Sequence, residues 1–201
     1  MTLSKSNYIS FLTHPAYLWL KKYDKDKIPP TDEDTQDMFD AGNLFESYVE
    51  KLFPNAVRIG FTKGVYNNTY SLMPEKTKEA LDAGADTILQ GRLEANNITC
   101  IFDVLKRVEG NTFDLSEIKS STSAKPEHLY DLAFQKEVLE GAGLNIRKIS
   151  VIHCNRDYVR HGEIDIEKLT METDITEDVK SLKEVTKEQI TNAFHILDLK
   201  K

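Results

Sequence analysis

Residues 98 to 106 of this chain read Ile-Thr-Cys-Ile-Phe-Asp-Val-Leu-Lys. Written as an extended strand, the stretch is apolar on both faces, and such a strand needs a sheet that is covered on both sides. Glu109-Gly110-Asn111 follows, a turn signal with residues suited to positive φ. A second strand, Thr112 to Lys119, alternates: Thr112, Asp114, Ser116 and Ile118 share one face, Phe113, Leu115, Glu117 and Lys119 the other. Glu117 and Lys119 therefore stand where the alternation calls for more apolar side chains. Asp103, between Phe102 and Val104, has no polar face to point to. Burying such charges unpaired is expensive, so they persist in strands when they carry chemistry or when a cation neutralises them.

Folding the hairpin about Gly110 sets residues whose numbers sum to 220 opposite one another, which places Asp103 across from Glu117. Directly opposed side chains have Cβ atoms roughly 4.5–5.5 Å apart. Two carboxylates at that distance repel, and one is driven towards protonation unless a divalent cation lies between them. Hard oxygen ligands with room for water suit Mg²⁺ or Mn²⁺. A slip of one residue would send the two acids to opposite faces. The plain structural alternative is an Asp closing a turn and a Glu–Lys pair at a strand end.

The rest of the composition is that of an ordinary globular domain, 40% apolar and 29% charged over 201 residues. No apolar run approaches the ~20 residues that span a bilayer, and the N-terminus lacks the pattern of a signal peptide, so a cytoplasmic protein without a membrane partner is expected. Cys100 and Cys154 read as reduced core thiols. Two cysteines do not support an iron–sulfur cluster. The histidines lack metal-ligand spacing. The net charge of −7 argues against broad non-specific binding of nucleic acid and leaves room for local basic patches at Lys21, Lys22, Lys25 and Lys27, at Lys106 and Arg107, and at Lys119 and Lys125.

Along the chain, residues 4 to 23 read as a helix interrupted at Pro15, and 24 to 30 as a linker. A second helix is expected over 31–52, with Met38, Ala41, Phe45, Tyr48, Val49 and Leu52 as its apolar stripe. Glu46 borders that stripe one turn after Gly42, a glycine that permits close approach of another backbone. Short strands at 56–61 and 65–70, a helix over 74–82 and a strand over 86–95 precede the hairpin. Pro126 to Gly141 reads as a helix with a proline start and glycines after its end. His128, Leu132, Gln135 and Leu139 lie on one face of it. A strand over 148–154 and a charged helical tail over 174–200 complete the reading. Strands followed by a helical crossover and another strand give a mixed sheet with helices on both faces.

This order and these residues resemble the PD-(D/E)xK nuclease superfamily and, within it, the RecB-like nucleases. The residues that carry the resemblance are Gly42-Asn43-Leu44-Phe45-Glu46, Asp103, Glu117-Ile118-Lys119 and Gln135, over about residues 31 to 155. Histidine is commoner than glutamate at the position of Glu46. The stretches EIKSSTSAKPEHLYDLAFQKEVLEGAGL and HCNRDYVRHGEIDIE look closer still to the nuclease domain of a little-characterised bacterial group. Members of that group tend to be longer, so the sequence is compatible with a domain cut from a larger protein.

The resemblance implies an α/β fold with a restriction-endonuclease-like mixed β-sheet core, in the order αβββαβ, flanked by helices. It implies a single nuclease domain over 1–201: a helical N-terminal segment to about 30, a core from about 31 to 155, and a C-terminal extension from about 156. The implied activity is metal-dependent cleavage of nucleic acid, foremost as a DNA exonuclease. Asp103, Glu117 and the main-chain carbonyl of Ile118 would bind Mg²⁺ or Mn²⁺, with Glu46 helping directly or through water. Lys119 would orient or deprotonate the attacking water, or stabilise developing charge. Gln135 would hold the substrate strand or Lys119. Tyr130 and His128 could touch DNA, and Glu94 could support the site from the preceding strand. Two rivals keep the same residues: a catalytically inactive nucleic-acid-binding or scaffold domain that retains the fold, and a hydrolase of a small phosphoester.

Overall fold

The computed structural model describes residues 1–30, 32–61 and 69–199. In chain order its elements are β1 (Leu3–Ser4), α1 (Lys5–Thr13), α2 (Pro15–Tyr23), α3 (Glu33–Val49), β2 (Val57–Arg58), α4 (Met73–Asp82), β3 (Thr87–Ala95), β4 (Ile98–Glu109) and β5 (Thr112–Lys119). They continue with α5 (Pro126–Gly141), β6 (Asn145–Cys154), α6 (Ile166–Leu169), β7 (Thr170–Asp174), α7 (Thr176–Ser181) and α8 (Lys183–Asp198). Among these residues no helix is long and apolar enough to cross a membrane.

The strands form one mixed sheet in the order β2-β3-β4-β5-β6-β7, with β1 pairing separately along β4. The β3–β4 and β4–β5 neighbours are antiparallel hairpins, whereas β5 and β6 run parallel. A parallel pair needs a crossover, and α5 supplies it. Its buried face (Leu132, Ala133, Val138 and Leu139) joins Phe102, Phe113 and Leu115 of the sheet in the larger core, with Tyr8 and Leu18 from the first two helices and Ala193 and Leu197 from α8. On the opposite face α3 contributes Phe45 and Val49 to a smaller core with Leu89, Val104, Ile118 and Ile152. The expected α/β architecture, a mixed sheet between helical layers with α3, β3, β4, β5, α5 and β6 in the αβββαβ order, is the architecture observed.

Particular elements depart from the sequence reading. The first helix is two, because His14 adopts extended backbone and caps α2 with its own ring. Helix α3 begins at Glu33 and gives way to a 3₁₀ turn at Glu50–Leu52. Of its expected apolar stripe only Phe45 and Val49 are buried, while Met38 is 72% exposed, so the first half of the helix overhangs the body. A methyl at Gly42 would meet only Ser120 Oγ, at 3.9 Å, so close backbone approach is not what keeps that residue small. The strand expected over 65–70 falls mostly outside the described residues, and Tyr70 stands in a 3₁₀ turn. Strand β7 has too few apolar residues to be read from sequence; it is an edge strand built on β6.

One irregularity sets the site. On β4, Cys100 and Phe102 face the larger core, but so does Leu105, while Val104 faces the smaller one. On β3, Leu93 and Ile88 face the larger core and Leu89 the smaller. The period of two therefore breaks on both strands at facing positions, between the pairs Leu89↔Val104 and Gly91↔Phe102. Gln90 and Asp103 occupy the gap, and Gln90 has a φ of 52°, rare for a residue with a side chain.

Gly91 and Gly42 give a paired stability prediction. A Cβ on Gly91 would overlap the fully buried Phe102 ring. Gly91→Ala should cost about 1–3 kcal/mol. Gly42→Ala, with open space and a helical backbone, should gain about 0.5–1 kcal/mol. Urea midpoints moving in opposite directions check both, and a stable Gly91→Ala would mean that the ring has room to move.

Candidate active site

Strand β5 carries Glu117 to the end of the sheet, facing α5. Its carboxylate is 1% exposed. Lys119 Nζ donates to Oε1 at 2.6 Å and Lys5 Nζ to the same oxygen at 3.0 Å, while Gln135 Nε2 donates to Oε2 at 2.7 Å. Asp131, one turn before Gln135 on α5, joins the group: its oxygens lie 3.4 Å from both ammoniums, and Oδ1 accepts a second hydrogen from the Gln135 amide at 2.8 Å. Burial by itself would raise the Glu117 carboxyl, but the two ammoniums and the amide outweigh it and hold this acid well below the usual carboxylate range. By the same pairing, Lys5 and Lys119 are held above the ordinary lysine value against the pull of burial.

Asp103 lies close by in a different setting. The hairpin register is the expected one, with Val104 opposite Ser116 and Leu105 opposite Leu115. The ladder ends there, so Asp103 and Glu117 do not form its next pair. Instead Asp103 Oδ2 accepts the backbone N–H of Ile118 at 2.7 Å, and Oδ1 accepts Gln90 Nε2 at 3.3 Å. Burial and the nearby Glu117 charge push the Asp103 carboxyl up to about 7, against the pull of Lys5, Lys119 and the Ile118 N–H. The Gln90 amide also reaches Glu46 Oε1, at 2.7 Å. Burial, and then the Glu50 charge, raise the Glu46 carboxyl as well.

The residues named from sequence thus fall into two linked groups. Lys119 and Gln135 each contact Glu117 directly. Asp103 and Glu46 are joined through Gln90, and the Ile118 N–H ties Asp103 to β5. Sequence reasoning missed Lys5, Asp131 and Gln90. Asp131 had a signal in its four-residue spacing from Gln135, and Gln90 in its interruption of an apolar strand; Lys5 had none. Two further residues named from sequence have structural partners. His128 is 7% exposed, and its Nδ1 accepts the Lys125 N–H at 3.1 Å, closing the first turn of α5. Glu94 turns to Arg92 Nη2, at 3.0 Å.

Among the described residues no three His, Cys, Asp or Glu side chains are gathered closely enough to hold a metal ion. The chemistry of the donor set nevertheless fits a hard cation. Asp103 and Glu46 share one neutral amide donor, and burial first, with neighbouring acids second, lifts both above their ordinary pKa, a cost that a bound cation would relieve. Gln135 Oε1 is a buried acceptor with no hydrogen-bond donor, which ordinarily costs about 1–3 kcal/mol unless an ion or water answers it.

Asp103 gives a pH prediction. A carboxyl whose pKa rises on folding holds its proton in the native state up to about pH 7 and releases it near 4 when unfolded. The native state then binds more protons, so this group removes stability as pH climbs through that window. Asp103→Asn should gain on the wild type by on the order of 1–3 kcal/mol more at pH 8 than at pH 5. Urea midpoints at the two pH values measure it; an offset independent of pH would show an acid that ionises as it does in water.

No protein-family model matches this sequence, and no curated protein does. Solved structures similar to it include the alkaline exonuclease LHK-Exo from Laribacter hongkongensis, 11% identical, with 97% of this chain and 91% of that chain covered and a TM-score of 0.35. LHK-Exo in complex with dAMP has the same identity and coverage and a TM-score of 0.38. SSO0001 is 13% identical, with 74% of this chain and 84% of that chain covered and a TM-score of 0.32. At these TM-scores the likeness carries no argument about what the chain does.

Proposed function

We propose that this chain is a nuclease that hydrolyses phosphodiester bonds with the help of a divalent metal ion, a DNA exonuclease being the form that its motif order implies. The observation that supports this reading best is the meeting of Lys119 and Gln135 on the buried Glu117 carboxylate, with Asp103 bound to the backbone between Glu117 and Lys119. Asp103, Glu117 and the Ile118 carbonyl would hold Mg²⁺ or Mn²⁺, with Glu46 assisting directly or through water. The ion, when bound, lowers the pKa of a water and polarises the scissile phosphate.

The protein groups divide the remaining tasks. Lys119, kept protonated by its acidic neighbours, is a cation and a poor proton acceptor in this arrangement. Of the roles open to it, orienting the attacking water and neutralising charge on the phosphate are the ones it can fill. Gln135 fixes the Glu117 carboxylate through Nε2 and has Oε1 free for a further donor. Gln90 holds Glu46 and Asp103 at one amide until an ion takes their charge.

The test is incubation of the protein with end-labelled single- and double-stranded DNA, with Mg²⁺, Mn²⁺ or a chelator, and a reading of the product ladder. Cleavage should require the metal. Lys119→Ala should lose it by about 10²–10³-fold with cooperative unfolding intact; full activity in that variant would remove the mechanism. Mn²⁺ should raise the thermal midpoint of the wild type and not that of Asp103→Asn.

A second reading has its own support. Lys119 is ion-paired to both Glu117 and Asp131, and the acids are not drawn together around one point. A domain that binds nucleic acid or scaffolds a partner without cutting would look like this. DNA bound without metal-dependent products would favour it.

A further inference from the structure

We propose that Lys5 is a positioning residue of this site: a second ammonium that keeps the Glu117–Asp131 carboxylates partnered and oriented when Lys119 turns away to a substrate phosphate. Lys5 lies far from the hairpin in sequence, yet its Nζ is 3.0 Å from Glu117 Oε1 and 3.4 Å from Asp131 Oδ1. Lys119 reaches the same two acids, Glu117 Oε1 at 2.6 Å and the other Asp131 oxygen, Oδ2, at 3.4 Å. Two ammoniums thus bridge two carboxylates, each touching both, and the charges balance. Glu117 and Asp131 are 1% and 8% exposed, so neither has enough water to replace a departing lysine. Removing one partner of a buried pair is strongly destabilising when nothing takes its place. Lys5 is what takes its place.

The backbone of Lys5 is built to stay. Leu3 and Ser4 pair in parallel with Ile98 and Thr99, and Leu3 N donates to Asn97 O at 2.8 Å. Ser4 caps α1 by accepting from Asn7 N, and one turn on Tyr8 stacks on Phe134 of α5 with ring centroids 4.6 Å apart. A lysine at the first position of a helix fixed at its cap and in its first turn can hold its charge in place. Lys119, the last residue of its strand, is followed by the Ser120–Lys125 connection and is more exposed, at 30% against 22% for Lys5.

The role in cleavage rests on the reading proposed above; the first arm of the test does not. Thermal midpoints are measured for the full chain as wild type, Lys5→Ala, Lys119→Ala and the double variant. Either lysine alone should satisfy the acids, so each single loss should be modest and the double loss should be more than the sum of the two. Additive losses would overturn the proposal. If the double variant does not fold, Lys119→Ala with Lys5→Arg carries this arm: it should match Lys119→Ala alone, and a failure to do so overturns the idea.

The second arm uses Mn²⁺ titration by calorimetry without DNA, and kcat and KM on end-labelled DNA. Lys5→Ala should leave Mn²⁺ affinity without DNA nearly unchanged, because Lys119 still answers both acids there. It should lower kcat by about 10- to 100-fold with KM nearly unchanged, and Lys5→Arg should recover most of the kcat. A raised KM with an unchanged kcat would make Lys5 a substrate contact and overturn the positioning role. A wild type that neither binds Mn²⁺ nor cuts DNA would sink the nuclease reading, and the midpoints would still decide whether Lys5 stands in for Lys119.

Discussion

A carboxylate with almost no exposure, Glu117, organises the end of this sheet. Its oxygens are answered from three directions: by Lys119 on its own strand, by Lys5 from the N-terminal helix and by Gln135 from the crossover helix. Three separate elements, one of them from the far N-terminal end of the sequence, are thereby committed to one geometry. Buried ion pairs of this kind add little net stability, because desolvation offsets much of the Coulomb attraction. Their contribution is to make the alternatives worse, since any packing that leaves the charge unanswered is far less stable.

The same hairpin holds a second acid under the opposite pressure. Glu117 has two ammoniums and stays ionised; Asp103 has an amide and a backbone N–H, and its proton leaves only near neutrality. Two neighbouring carboxyls driven apart in acidity by their surroundings are what sites of acid–base or metal chemistry display. Here the separation comes from which neighbour each acid reaches, because the strands part beyond Val104 and Ser116.

Much of this was legible in the sequence. The doubly apolar run from Ile98 announced a central strand, the turn at Gly110 fixed the register, and the proline start of α5 gave the crossover. Asp103, Glu117, Lys119 and Gln135 could be picked out because each is a polar residue at an apolar position. Lys5 and β7 could not. A lysine at the start of a helix looks like any solvated lysine until tertiary packing brings it to an acid, and an edge strand of polar residues has no hydrophobic period to read. Asp103 and Glu117 are near enough for one to raise the other's pKa, as the reading expected, but they are not a ladder pair, because alternation assumes an unbroken pleat and the pleat breaks at Asp103. Helix α3 misled through its apolar content, which packs only in its second half.

The shared kink at Gln90 and Asp103 has a bearing on how these strands can change over time. Each of these two strands switches its inward side at the same level, so the β3–β4 ribbon is two halves joined on one line. Dropping or gaining a residue there on a single strand would swap every inside for an outside on one half only. Such an edit is tolerable only when its neighbour is edited to match, which couples the lengths of β3 and β4 as tightly as a lock couples two threads of the same screw.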